Sequence, residues 1–121
     1  MTPPPAPDER GQAEIDRLLD RYLTVLQAER NLSRFTVRNY ATDLRHLFDW
    51  LAERTTDPLT LTRQVFRSYL ASMIDAGTAQ GSIARRVSTA RSFYKWLRLI
   101  GAVDADPLAN VSGPKQARRL P

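Results

Sequence analysis

The sequence of 121 residues contains no cysteine and only one histidine. Without cysteine the chain cannot form disulfides, thiolate nucleophiles or zinc sites with cysteine ligands. A metal site would need several histidine or carboxylate ligands at matching spacing, and His46 lies alone beside an apolar helical stripe. We therefore expect no metal, no cofactor and a surface or boundary position for His46.

Long apolar runs are also missing. Residues 1–8 have neither the basic start nor the apolar stretch of a signal peptide, and no later segment is long and apolar enough to span a bilayer. The sequence predicts a cytoplasmic protein without a membrane partner. Residues 1–11, rich in proline, are expected to form a disordered tail.

No constellation of catalytic residues is evident. Gly77 and Gly81 stand without the lysine of a phosphate-binding loop. Asp104 and Asp106 lie next to a proline, which fits a helix cap and turn better than an acid–base pair. All four tyrosines fall on or beside apolar stripes, so packing is the expected role. This chain is not expected to be an enzyme by itself.

Acidic residues are scarce in the second half of the chain. The net charge is +5 and the pI about 10.2. Up to Thr60 there are ten acidic and eight basic residues, whereas from Leu61 onward there are three and ten. Between Thr78 and Gly101 there are five bases and no acid. A segment of one sign indicates a polyanionic partner such as nucleic acid, and the alternative is a solvated basic face.

Apolar residues recur three and four positions apart in four segments, and no segment alternates with the period of a strand. The fold class is therefore all-α, with four to five helices. The expected helices are 12–30, 34–53 capped by Ser33, 63–76 capped by Thr62 and ended by Gly77, and 79–100 capped by Thr78 and ended by Gly101. Asp106 and Pro107 open a short turn near 108–111.

The starts of the second and fourth helices combine hydroxyls, amides and arginines, a composition that suits phosphate and base contacts. The core side of the fourth helix is predicted to be Ile83, Val87, Ala90, Tyr94 and Leu97, with Arg85, Ser88, Thr89 and Ser92 opposite. The candidate DNA-contacting residues in these helices are Ser33, Arg34, Thr36, Arg38, Asn39, Thr42, Gln80, Ser82, Arg85, Arg86 and Thr89.

Three segments together resemble one known family. Glu29-Arg30-Asn31-Leu32-Ser33, followed by Thr36, Tyr40, Asp43-Leu44 and Phe48, resembles the opening motif of Xer-type tyrosine recombinases and phage integrases. Residues 85–97 resemble the fourth-helix motif of that family, and residues 106–109 with the exit 114–121 resemble its approach to a catalytic domain. The resemblance covers residues 12–121.

The resemblance implies a SAM-like orthogonal bundle, residues 12–111, that clamps one side of a recombination site in double-stranded DNA. The second and fourth helices would cross the major groove, with Thr36 at a phosphate. Tyr40 would be partly core and partly phosphate contact. Residues 112–121 would be a basic linker toward an absent catalytic domain, with Lys115, Arg118 and Arg119 along the DNA backbone.

The resemblance also implies other recombinase subunits as partners in a synaptic complex, although the fragment itself is expected to be monomeric. The family's catalytic residues would lie downstream of the linker. Arg91 has two alternative roles, a structural ion pair, for example with Asp43, and DNA contact. For the whole chain, the alternative function is an α-helical protein-interaction module.

Overall fold

A computed structural model describes residues 7–111 of the chain. Its helices are α1 (Pro7–Ala28), α2 (Arg34–Glu53), α3 (Arg63–Asp75) and α4 (Gln80–Leu99), with a 3₁₀ helix at Pro58–Thr60. These residues contain no strand, and the all-α prediction is confirmed. Helix α1 begins at Pro7 rather than at Gln12, so the backbone of residues 7–11, assigned by sequence to the disordered tail, is helical.

The chain divides into two compact units, Met1–Leu61 and Thr62–Pro121. The first unit contains α1, α2 and the 3₁₀ helix, and the second contains α3 and α4. The sequence pattern predicts one helical domain over residues 12–111 and does not indicate this boundary.

The core of the first unit is built from the apolar stripes of α1 and α2, which contact each other. Its least exposed apolar side chains, each at most 1% exposed, are Ile15, Leu19, Tyr22, Leu26, Leu44, Leu47, Phe48 and Leu51. Asp16 and Arg45 join the two helices by an ion pair of 2.5 Å. Gly11 allows a close approach, because a Cβ there would lie 3.1 Å from Cγ of Asp57.

Aromatic side chains fill much of the second unit. On α3, Phe66 and Tyr69 have ring centroids 5.6 Å apart. On α4, Phe93 meets Tyr94 edge-on at 5.6 Å and stacks with Trp96 at 6.1 Å. The buried residues of α4 are Ile83, Val87, Thr89, Ala90, Phe93, Tyr94, Trp96 and Leu97. The five predicted core positions are confirmed, and the buried side is wider than predicted.

Of the three N-caps predicted for α2, α3 and α4, two are confirmed. The backbone N–H of Thr36 donates to Oγ of Ser33 over 3.1 Å, and that of Val65 donates to Oγ1 of Thr62 over 3.2 Å. The prediction for Thr78 is wrong. Ala79 occupies the cap position of α4 and supplies no side-chain bond. The backbone N–H of Thr78 donates to the carbonyl of Met73 at the end of α3.

Helices α2, α3 and α4 end in the same way. In each, two backbone N–H groups donate to carbonyls of the last turn. In α2 Thr55 donates to Ala52 and Thr56 to Leu51; in α3 Gly77 donates to Ile74 and Thr78 to Met73; in α4 Gly101 donates to Arg98 and Ala102 to Leu97. This is the Schellman arrangement, which places one residue in the left-handed region. Gly77 and Gly101 confirm the predicted stops, each with φ of 77°.

The end of α2 uses threonine where the other two helices use glycine. Thr55 has φ of 53°, a conformation that costs an L-residue about 1–2 kcal/mol. We expect Thr55→Gly to stabilise the chain by about 1 kcal/mol, measured by urea unfolding, since the relief of strain exceeds the added chain entropy. Thr56→Gly, at the next position and without positive φ, should instead be neutral or destabilising. Equal effects of the two substitutions would contradict this account.

Each unit contains one Asp-Pro-Leu turn. The backbone N–H of Leu59 donates to Oδ1 of Asp57, and that of Leu108 donates to Oδ1 of Asp106, both over 2.9 Å. The second bond confirms the predicted cap-and-turn role of Asp106, and the first caps the 3₁₀ helix Pro58–Thr60. Among the helices of residues 7–111, none has the length and apolar character needed to cross a membrane.

Candidate nucleic-acid interface

The start of α2 carries a hydroxyl pair. Oγ of Ser33 accepts from the backbone N–H of Thr36 and donates to Oγ1 of Thr36 over 3.0 Å. The Thr36 oxygen therefore serves as an acceptor, and its own proton remains for an outside acceptor such as a phosphate oxygen. The first turn of α2 contains no acidic residue, so nothing there would repel an anion.

The outer face of α2 continues from this start. Arg34, Arg38, Asn39 and Thr42 are all exposed. Oγ1 of Thr42 donates to the carbonyl of Arg38 over 3.0 Å. The Thr42 hydroxyl can therefore accept a hydrogen bond from a base edge but has no proton left to donate.

Tyr40 lies between core and surface. It is half-buried, and its ring centroid is 6.4 Å from that of the buried Tyr22, at an interplanar angle of 59°. The packing part of its predicted mixed role is confirmed, and the phosphate contact remains a prediction.

On α4, the predicted residues separate into two groups. Gln80 and Arg85 are exposed and Ser82 is half-buried. Arg86 is half-buried, and its NH1 donates to Sδ of Met73 on α3 over 3.6 Å. The Arg86 guanidinium therefore contacts the neighbouring helix rather than extending outward with Arg85.

The predicted exposure of Thr89 is wrong, because its side chain is buried, with 4% exposed. At about 100° per residue, the eight buried residues of α4 cover about 180° of its circumference. Phe93 and Trp96, which the predicted core omitted, widen the buried side until it includes Thr89. The exposed side is therefore centred on Ser88, Arg91 and Lys95.

These three exposed residues border a groove. Its lining is Ser88, Arg91, Ser92, Lys95, Asp106, Leu108 and Ala109, and its volume is ≈ 440 Å³. We call it the α4 groove. Hydroxyls and cations alternate along its helical wall, a combination suited to phosphate oxygens. The spacing of positions 88, 91, 92 and 95 places them on one helical face, which is the part of the groove that the sequence indicates.

A second groove borders the start of α3. It has a volume of ≈ 650 Å³ and is lined by Thr62, Arg63, Gln64, Arg67, Asp106 and Pro107. Arg63 and Arg67, four residues apart, place two more cations in the second unit. Sequence reasoning missed both, because it named no contact residues in the third helix.

Several exposed bases differ in what surrounds them. In the first unit, Arg17 pairs with Glu14 and Arg45 pairs with Asp16. Within residues 7–111, the side chains of Arg91 and Lys95 form no ion pair or hydrogen bond. Their charges are therefore open to an external anion.

Other predicted features stand as follows. Asp43 is buried and Arg91 is exposed. Because the Arg91 side chain forms no ion pair within residues 7–111, the ion-pair alternative for this residue is not supported. Lys115, Arg118 and Arg119 lie outside the described residues. Residues 7–111 contain no group of three histidine or carboxylate side chains that could hold a metal ion.

A family model and individual relatives, compared with this chain, indicate the same family. The model of the phage integrase N-terminal SAM-like domain matches residues 19–100. Tyrosine recombinase XerC of Pelotomaculum thermopropionicum is 37% identical over 109 residues, which cover 85% of this chain and 36% of that protein.

Tyrosine recombinase XerC of Mycobacterium tuberculosis is 41% identical over 110 residues, which cover 91% of this chain and 36% of that protein. The chain thus spans about a third of the length of these curated relatives, 36% in both. No solved structure matches.

Proposed function

Because the chain belongs to the family of phage integrase N-terminal SAM-like domains, we propose that it binds duplex DNA as one domain of a tyrosine recombinase. The observation that carries this proposal is the exposed side of α4. Arg85, Arg91 and Lys95 are exposed there, and the helix contains no acidic residue.

The α4 groove is assigned to the phosphate backbone. Phosphate contacts from lysine, arginine and serine set the position of a protein on DNA without reading sequence. Arg91 and Lys95 supply charge, and the hydroxyls of Ser88 and Ser92 supply shorter-range hydrogen bonds. Asp106 already accepts the backbone N–H of Leu108, so part of its capacity as an acceptor is used within the turn.

The outer face of α2 is assigned to base edges. Arg38 and Asn39 are exposed and carry the groups that pair with guanine and adenine in the major groove. Thr36 and the start of α2 would hold the adjacent phosphate. Thr89 is left out of this interface because it is buried, and Arg86 is left out because its guanidinium contacts Met73.

Strand cleavage is assigned to another part of the parent recombinase. The matched relatives are named tyrosine recombinases, and this chain spans 36% of their length. We propose that this domain supplies grip and position, that recombination chemistry lies in a separate domain, and that further recombinase subunits assemble on the same DNA.

The experiment is a salt titration of duplex DNA binding by the 121-residue chain, followed by fluorescence anisotropy. Three phosphate contacts from α4 alone predict a slope of log K against log salt of about −3 or steeper. Backbone amide shifts should change most at residues 33–42 and 80–95. Absence of binding at about 50 mM salt would refute the proposal. So would shift changes confined to α1 and α3, which would favour a protein-interaction module.

A further inference from the structure

Phe35 is the most exposed aromatic side chain of the described residues, with 71% of its surface accessible. It lies in the first turn of α2 and contributes nothing to the core of the first unit. Single exposed apolar residues are common on protein surfaces. Any functional meaning must therefore come from its position.

Its position is the outer face of α2. At about 100° per residue, Phe35, Asn39 and Thr42 fall within about 60° of one another. The centre of the buried side of α2 lies about 150° away from Phe35. The ring therefore shares the face that we assign to base edges.

The surroundings of the ring distinguish between possible partners. Arg34 and Arg38 lie on one side of it, about 100° and 60° away around the helix. Both are exposed, and the first turn contains no acid. An apolar protein surface would leave these guanidinium groups without partners. A polyanion that also presents an apolar group satisfies both features at once.

Thr42 adds a second feature of the same kind. Its hydroxyl proton is donated to the carbonyl of Arg38, so its exposed surface offers an acceptor oxygen and a methyl group. In the major groove of DNA, the apolar group presented by a base pair is the 5-methyl of thymine, which phenylalanine and the threonine methyl contact favourably.

We infer that Phe35 contacts a thymine 5-methyl group in the major groove and gives the domain a preference for thymine at that position. This inference rests on the proposed DNA binding. On a face otherwise made of cations and amides, Phe35 adds a side chain that recognises an apolar group.

The test compares two duplexes of equal length, one of alternating A·T pairs and one in which every thymine is replaced by uracil. Both carry the same charge and hydrogen-bonding groups, and only the 5-methyl differs. The 121-residue chain should bind the thymine duplex about threefold more tightly, the effect of burying about one methyl group. Phe35→Ala should bind both duplexes equally, and Phe35→Leu should keep part of the difference.

The outcomes separate the two proposals. Equal binding of both duplexes by the unaltered chain overturns the inference and leaves DNA binding intact. A thymine preference that persists in Phe35→Ala also overturns it, since the methyl is then read by another residue. Failure to bind either duplex removes the proposed function itself. Because Phe35 is exposed, the circular dichroism of Phe35→Ala should match that of the unaltered chain.

Discussion

Replacing both Arg91 and Lys95 with alanine is expected to weaken duplex DNA binding about fifty-fold at about 0.1 M salt. DNA binding releases fewer counterions when two phosphate contacts are lost. The slope of log K against log salt should therefore become shallower by about two. Both side chains are exposed and line the α4 groove. The substitutions should therefore leave the free energy of unfolding within about 0.5 kcal/mol of its original value.

A matched control removes the same charge elsewhere. Arg17 and Arg30 are exposed in the first unit, and neither lies on the outer face of α2 or α4. The Arg17→Ala and Arg30→Ala double variant should change binding by less than about threefold, through net charge alone. If both double variants weaken binding equally, the effect comes from overall charge and the α4 groove has no specific role.

Thr89→Asp is expected to unfold or severely destabilise the chain, whereas Ser88→Asp should fold normally. Thr89 is 4% exposed within the second unit. Burying an ionised carboxylate at that position costs at least about 3 kcal/mol. Ser88 is exposed, so an aspartate at that position remains in water. Urea unfolding of the two variants measures the difference directly.

The same pair separates stability from binding. Ser88→Asp adds a negative charge to the α4 groove, and repulsion of a phosphate at about 4 Å should weaken DNA binding about fivefold. If Thr89→Asp remained folded and lost DNA binding while Ser88→Asp did not, the sequence-based placement of Thr89 on the DNA face would be correct. The structure leads us to expect the opposite result.

The sequence predicted the helices well because their signals are local. The hydroxyls of Ser33 and Thr62 cap α2 and α3 as expected, and Gly77 and Gly101 end α3 and α4. Each of these features depends on a few neighbouring residues. Thr55 shows the limit of this reasoning, since a β-branched residue gives no signal for a left-handed end.

The orientation of α4 was harder to predict, because burial depends on packing that no single helix encodes. Period counting identified the five central core positions but could not show that Phe93 and Trp96 are also buried. The candidate site changed, losing Arg86 and Thr89 and gaining Arg91 and Lys95. Phe35 was missed for a related reason, since a large apolar residue outside the stripe is easily taken as neutral.

The two-unit organisation has a consequence for folding kinetics. Each unit joins helices that are consecutive in the chain, α1 with α2 and α3 with α4. Only residues 76–79 separate α3 from α4, so little loop-closure entropy opposes bringing them together. Low contact order of this kind is associated with folding in microseconds to milliseconds. Each helical pair is thus suited to form early from its own segment of the chain.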